Sequence, residues 1–515
     1  MSEQNNIGNN KRIAKNTLFL YFRMILIMGV TLYTSRVILD KLGVDDYGLY
    51  QVVGGVVAML SFLNGTLSIG TSRFLTYELG TGNTEKLRRT FSTSFYIHGI
   101  LALIILLLME TGGLWFLYNK LVIPANRLTA CVWVFQLSIL TTMISVTQVP
   151  YTATIMAHER MNIYAYISIF EALAKLCVCY LLSITTMDRL IFYAILLAIV
   201  QILVAAFYRV YSIHHFEESR LQLVFDRTVT KGMMGFSGWN VMANLSDMLR
   251  NQGLLVLCNL FFAPAVIAAQ AIANQVAVAM MQFINNFRTA LNPQIIKLYA
   301  AGDRKGSKKL TLETTVVCFD MILLLGLPLI IVMDKIMHVW LVEVPEYAVL
   351  FTQWIIICRI VNTFSTSFYI PMMAANKMRV NSITAVFTGI VEFGVLYLLF
   401  KIGWGPMWMQ YFGLLNAIIY SMVVKPYVLC KDIDYKWQEI MLCFWSCTKV
   451  LTLSLAISIP VNYLIGNDLL DTIIKIIVSA LAVALSSYLF MNKQMKYKLK
   501  QFISNKLKNV RYKTN

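Results

Sequence analysis

Charge is scarce in this sequence. Of 515 residues, 14% are Asp, Glu, Lys or Arg, against roughly 25% in soluble domains, and 58% are hydrophobic. So little polar surface cannot coat a water-soluble globule of this size, and a chain this apolar does not stay disordered. Histidine is rare as well. There are five, and only His214 and His215 adjoin, so neither a nucleophile–base set nor a histidine-based metal site stands out. No Walker A motif occurs, which excludes nucleotide hydrolysis by the chain itself. The nine cysteines lie in or beside apolar runs without zinc-site spacing, as expected of small apolar side chains in helices. The loops on the side poor in Lys and Arg are short, which leaves no room for an extracytoplasmic polymerase, ligase or glycosyltransferase. The composition therefore predicts a non-enzyme with no cofactor and no metal.

What is present is a long series of apolar runs. A membrane-spanning helix needs about 20 mostly apolar residues, and fourteen such runs are readable near 16–38, 47–70, 91–118, 128–150, 163–184, 189–211, 232–258, 264–290, 311–333, 347–370, 382–401, 406–429, 440–464 and 470–491. The first 15 residues are polar, and small cleavage-site residues do not follow the first run, which reads as a retained span. The net charge of +18 follows from loop bias rather than from nucleic-acid binding. With the N-terminus inside, 29 Lys and Arg fall in cytoplasmic segments and six outside. That asymmetry predicts a multi-pass protein with both termini cytoplasmic.

The two halves repeat. Gly82-Asn83 with Arg88-Arg89 matches Gly302-Asp303 with Lys308-Lys309 at an offset of 220, and the residues leading to Pro150 match those leading to Pro371 at 221. Met156-Ala157 through Tyr180-Leu181-Leu182 matches Met373-Ala374 through Tyr397-Leu398-Leu399 at 217. Six spans per repeat keep both units in one orientation, with an axis along the membrane normal. The expected architecture is all-α: two six-helix bundles related by a pseudo-two-fold around a central cavity, 1–228 and 229–436, then helices 13 and 14 in 437–491 and a basic tail, 492–515.

Charges and amides inside spans carry the functional expectations, because a charge at the centre of a spanning helix costs roughly 2.5–3.5 kcal/mol. In span 7, Asn240, Asn244, Asp247 and Asn251 recur at i, i+4, i+7 and i+11 and form one polar stripe, with Arg250 placed to pair with Asp247. Span 8 sets Gln270, Asn274, Asn285, Arg288 and Asn292 on one arc. Solvated cavity walls are the preferred reading of both stripes, against packing, and against snorkelling to the helix end for Arg288. Arg359 stacks with Asn362 and Thr366 in span 10. Glu171 and Lys175 read as a structural i, i+4 ion pair, and the repeat sets Glu392 in register with Lys175. Asp247, Asp320 and Glu392 are the candidates for ion coupling.

Two stretches carry a family resemblance: Ser35-Arg36-Val37-Ile38-Leu39 through Gly43 and Asp46-Tyr47-Gly48-Leu49-Tyr50, and Gly235-Phe236-Ser237-Gly238-Trp239 followed by Arg250-Asn251-Gln252 and Ala268-Ala269-Gln270. With these motifs and the twelve-plus-two layout, the chain resembles the polysaccharide-biosynthesis flippases (O-antigen, capsule or exopolysaccharide) of the multidrug/oligosaccharidyl-lipid/polysaccharide exporter superfamily. The resemblance implies alternating access and transfer of an undecaprenyl-pyrophosphate-linked oligosaccharide across a bacterial inner membrane, with a polysaccharide polymerase as partner. Arg250, Arg288 and Arg359 would then meet the pyrophosphate, and Asn240, Asn244, Asn251, Gln270, Asn274 and Asn285 would line the path. Lipid II flippases, also with fourteen spans, are a related alternative. So are multidrug and toxin extrusion antiporters, whose pattern favours twelve spans and an acid in the first.

Overall fold

Apolar runs without internal breakers become helices because a helix satisfies every backbone N–H and C=O within its own segment, which lipid requires. The computed structural model describes residues 25–158, 160–233, 245, 248–375, 377, 379–464, 466, 468–491 and 496. Among them there is no strand. Among the described residues eleven helices are long and apolar enough to cross a membrane, beginning with Thr84–Asn119, Ala125–Ala157, Asn162–Leu181 and Arg189–His215 and ending with Trp437–Leu464 and Leu469–Phe490. This is an all-α, multi-pass membrane fold. Arg23, Asn240, Asn244 and Asp247 lie outside the described residues.

The helices outrun the apolar stretches that announce them. The expected span 311–333 is the core of Arg304–Trp340, and 264–290 is part of Pro264–Ala300. Pro150 and Pro371, expected at span ends, both lie inside helices that continue to Ala157 and Ala374. The expected span 47–70 is two helices, Val44–Ala58 and Ser61–Thr81, joined by a turn at Met59-Leu60. No proline or charge marks that break in the sequence.

The repeat is visible in the backbone. Gly82 closes its helix in the left-handed conformation at φ 70°, and Asn83 then caps the next helix by accepting from the Lys86 amide at 2.9 Å. Gly302 has φ 82°, and Asp303 accepts from the Gly306 amide at 2.8 Å. The turn after Ala157 closes with the Arg160 amide donating to the Ile155 carbonyl at 3.0 Å, and its counterpart has Lys377 donating to Met372 at 2.9 Å. Glycine is required at both helix ends because a Cβ is strained at positive φ.

By packing, the chain resolves into two compact units, one of residues 1–275, 340–351 and 382–412, the other of 276–339, 352–381 and 413–515. In the first, Phe91 and Phe95 meet the Tyr151 ring edge-on at 5.2 and 6.0 Å. In the second, Phe319 stacks on Phe364 at 5.2 Å, and Phe364 meets Phe444 edge-on at 4.8 Å.

In the first unit, Arg127 bridges two acids that begin other helices. Its Nε donates to Asp46 Oδ1 at 2.8 Å, its Nη1 to Asp188 Oδ2 at 2.5 Å, and its Nη2 to Asp46 Oδ2. Burial pushes Asp46 up despite Arg127. Burial also opposes the Asp188 carboxylate, but bonds from Arg127 and from the Leu190 and Ile191 amides prevail and hold it below its ordinary value. Asp188 thus adds stability above the usual carboxylate range, which is lost in acid, and Asp46 contributes in the opposite sense. Arg127→Ala should destabilise the protein by about 2 kcal/mol at neutral pH, because it strands two partly buried carboxylates. Both would then titrate upward, so the penalty should shrink towards pH 4. Thermal unfolding in detergent at both pH values checks this, and an equal penalty at both would refute it.

Candidate functional site

Arg250 sits on a π-helical turn, Leu249–Gly253, where one extra residue per turn re-aims side chains. Its Nη2 donates to Thr388 Oγ1 at 3.1 Å, and its Nε lies 3.4 Å from Glu392 Oε2. Both partners are on the helix Arg379–Lys401. Glu392 is only 5% exposed, so this is an ion pair between two helices with its acid buried. Asp247, the partner expected from the sequence, lies outside the described residues; among those described, Glu392 pairs with Arg250. Asn251 adjoins Arg250 on the same turn.

Glu171 and Lys175 pair at 2.6 Å, as their spacing predicts. The two positions matched by the repeat, Lys175 and Glu392, thus carry opposite charges, each compensated by its own partner.

Gln270 is buried, accepts from Gln410 Nε2 at 2.6 Å and donates to Asn274 Oδ1 at 3.5 Å. These amides satisfy one another, as buried polar groups must. Asn285, further along the same helix, is exposed, and Asn292 is half-buried.

In the second unit, Arg288 is 8% exposed and donates through Nη2 to the Thr366 carbonyl. It is buried rather than snorkelling. Arg359 is half-buried on the helix Ala348–Ala374. Asp320 lines a cavity of about 320 Å³ with Glu313 and Glu439, between the helices Arg304–Trp340, Trp437–Leu464 and Leu469–Phe490. One of its carboxylate oxygens is buried without a hydrogen-bond partner. Among the described residues no His, Cys, Asp and Glu cluster could hold a metal ion.

The structure therefore joins Arg250 to Glu392, Gln270 to Asn274, and Glu171 to Lys175 in one unit, and holds Arg288, Arg359 and Asp320 in the other. One buried cation was missed. Lys425, counted among the 29 cytoplasmic cations although it falls near the end of the run 406–429, is 4% exposed and lies 4.8 Å from the Tyr369 ring and 5.9 Å from the Tyr420 ring. It follows the π-helical turn Ile419–Val424. The signal was legible: a lysine inside an apolar run with tyrosines nearby, which fits cation–π burial.

No family model matches the chain, and no curated protein sequence matches it. Solved structures do. The chain is similar to the lipid II flippase MurJ in an inward closed conformation, with a TM-score of 0.63 and 14% identity, over 92% of this chain and 98% of that one. It is similar to a multidrug resistance MATE family transporter of the MOP superfamily in an inward-facing conformation, with a TM-score of 0.62 and 12% identity, over 79% and 98%. A MOP superfamily transporter from Pyrococcus furiosus, described as having a binding pocket of reverse polarity, aligns with a TM-score of 0.59 and 12% identity, over 81% and 95%. The chain has the fold of these transporters.

Proposed function

We propose that the protein is a flippase that moves an undecaprenyl-pyrophosphate-linked oligosaccharide from the cytoplasmic to the outer leaflet of a bacterial inner membrane by ion-coupled alternating access. In this reading, 1–228 and 229–436 are the two working bundles, 437–491 the added helices and 492–515 a basic cytoplasmic tail. A polysaccharide polymerase then uses the delivered substrate. The observation that carries the reading is the extent of the likeness. The lipid II flippase aligns over 92% of the chain, and the MATE family transporter and the Pyrococcus furiosus MOP superfamily transporter over about four fifths, in keeping with two helices beyond twelve. Cations inside spans support an anionic cargo: guanidinium groups hold phosphate by paired, charge-assisted hydrogen bonds, and half-buried Arg250 and buried Arg288 supply them. Arg36 stands in the first span, where the antiporter pattern favours an acid.

The test is transport in proteoliposomes. A fluorescent undecaprenyl-pyrophosphate oligosaccharide should become accessible to an external quencher faster than in protein-free vesicles, while lipid II and ethidium should not move. Ethidium moving in exchange for protons would favour the antiporter reading, and lipid II moving alone would favour the lipid II flippase.

The orientation has its own test. Single cysteines at Lys41, Lys120 and Glu343 should react with an impermeant reagent from outside intact cells, and one at Lys305 should not. Labelling at Lys305 would overturn the cytoplasmic assignment of the termini.

A further inference from the structure

A cavity that lies wholly within the first unit holds about 900 Å³. That is near the upper end of the roughly 300–1,000 Å³ of small-molecule sites. Three helices, Ser61–Thr81, Leu128–Ala157 and Arg189–His215, supply most of its wall, and the fourth, Met161–Leu181, supplies the rest.

Its chemistry is unusual for a membrane interior. Twelve of its sixteen lining residues carry a hydroxyl, amide or carboxyl group, and only one, Glu171, is charged. That charge is already matched by Lys175 at 2.6 Å. A pyrophosphate would find no net positive charge here, and an organic cation would have to displace Lys175 from its acid. What the wall offers is many neutral donors and acceptors.

The groups are ordered along the cavity. Tyr77, Tyr164 and Tyr208 lie close to helix ends joined by basic loops, with the Tyr164 and Tyr208 rings 6.4 Å apart and tilted by 39°. By helix register, Gln148, Ser145, Glu171 and Gln201 stand farther from those helix ends. The Gln148 side-chain oxygen is buried and has no hydrogen-bond partner, so it is an acceptor waiting for a donor. Pyranose rings match this wall: their hydroxyls donate to amide oxygens and accept from its hydroxyls, and their C–H faces suit tyrosine rings, whose bodies are apolar and whose tips are polar.

We propose that this cavity binds the uncharged sugar portion of the transported molecule, separately from the arginines that would meet its pyrophosphate. The inference rests on the flippase reading and adds to it a place for the glycan and the residues that hold it: Gln148 and Gln201 as bidentate partners of vicinal hydroxyls, and the tyrosines as stacking faces.

The experiment is saturation-transfer NMR on the full-length protein in nanodiscs, with maltotriose and triacetylchitotriose as probes, and tetraphenylphosphonium as the cationic rival. At least one trisaccharide should show transfer to its ring protons. The double variant Gln148→Leu with Gln201→Leu should bind it about tenfold more weakly, a loss of about 1.4 kcal/mol. Thr152→Trp, which fills the cavity without removing an amide, should abolish the signal and guards against a folding artefact in the double variant. No transfer to either trisaccharide on the wild type overturns the proposal. So does transfer that survives both variants, or tetraphenylphosphonium binding that they abolish while sugar binding persists. If the trisaccharides fail while the lipid-linked oligosaccharide is still flipped, only this inference falls. If the sugars bind but nothing is flipped, the flippase reading falls and the glycan site remains.

Discussion

Arg250→Ala should abolish transport and also weaken the fold, and the two effects should be separable. The variant strands Glu392, a carboxylate that is 5% exposed, and removing one member of a buried pair costs about 3–5 kcal/mol. Replacing both members, Arg250→Gln with Glu392→Gln, leaves two neutral amides within reach of each other and of Thr388, and should restore thermal stability to near that of the unmodified protein. Transport is the deciding measurement. If Arg250 meets the anionic group of the cargo, the double variant is stable but remains inactive, because the lost charge-assisted bonds weaken binding by about 10–100-fold. Arg250→Lys keeps the charge but not the planar fork, and should fall between the two. Full transport by the double variant would show that the pair serves the fold alone.

Arg250 also shows what a sequence can and cannot convey. The presence of a cation inside span 7 was plain, and so was its proximity in sequence to an acid. Its partners on the helix Arg379–Lys401 were not, since Thr388 is 138 residues away and nothing in local periodicity links them. Span existence was legible because lipid demands continuous apolar runs, and the repeat was legible because Gly82 and Gly302 need a conformation that other residues rarely adopt. Helix irregularity was not. The break at Met59-Leu60 and the π-helical turns at Leu249–Gly253 and Ile419–Val424 occur in sequence with no proline at the break itself. The polar stripes were only half legible. Spacing placed Gln270 and Asn274 on one face, but it could not distinguish a water-lined wall from amides that satisfy each other through Gln410. The cavity lined by Gln148 and Gln201 was not legible because its groups come from four helices, and Glu171 stands out in the sequence only as half of an ion pair.

Gly48→Ala should be among the most damaging single-methyl changes in the protein. Gly48 belongs to the Asp46-Tyr47-Gly48-Leu49-Tyr50 motif and is buried on the helix Val44–Ala58. A Cβ at this position would overlap the carbonyl oxygen of Pro264 and lie 2.7 Å from its carbonyl carbon. Pro264 is the first residue of the helix Pro264–Ala300, where a missing N–H does no harm. These are backbone atoms, which cannot swing aside as a side chain can. The helices would have to separate, and the penalty should exceed the roughly 1–3 kcal/mol of ordinary overpacking. Small residues are used in membranes to let helix backbones approach in this way. Gly54→Ala, six residues along the same helix, is the matched control: its Cβ would meet only Ser138 Oγ, at 3.9 Å. There alanine should be neutral or stabilising by up to about 1 kcal/mol, since it favours the helix over glycine. Side-by-side thermal unfolding of the two variants checks the argument. A Gly48→Ala protein as stable as Gly54→Ala would mean that these helices do not approach each other so closely, and that the glycine of the motif is kept for another reason.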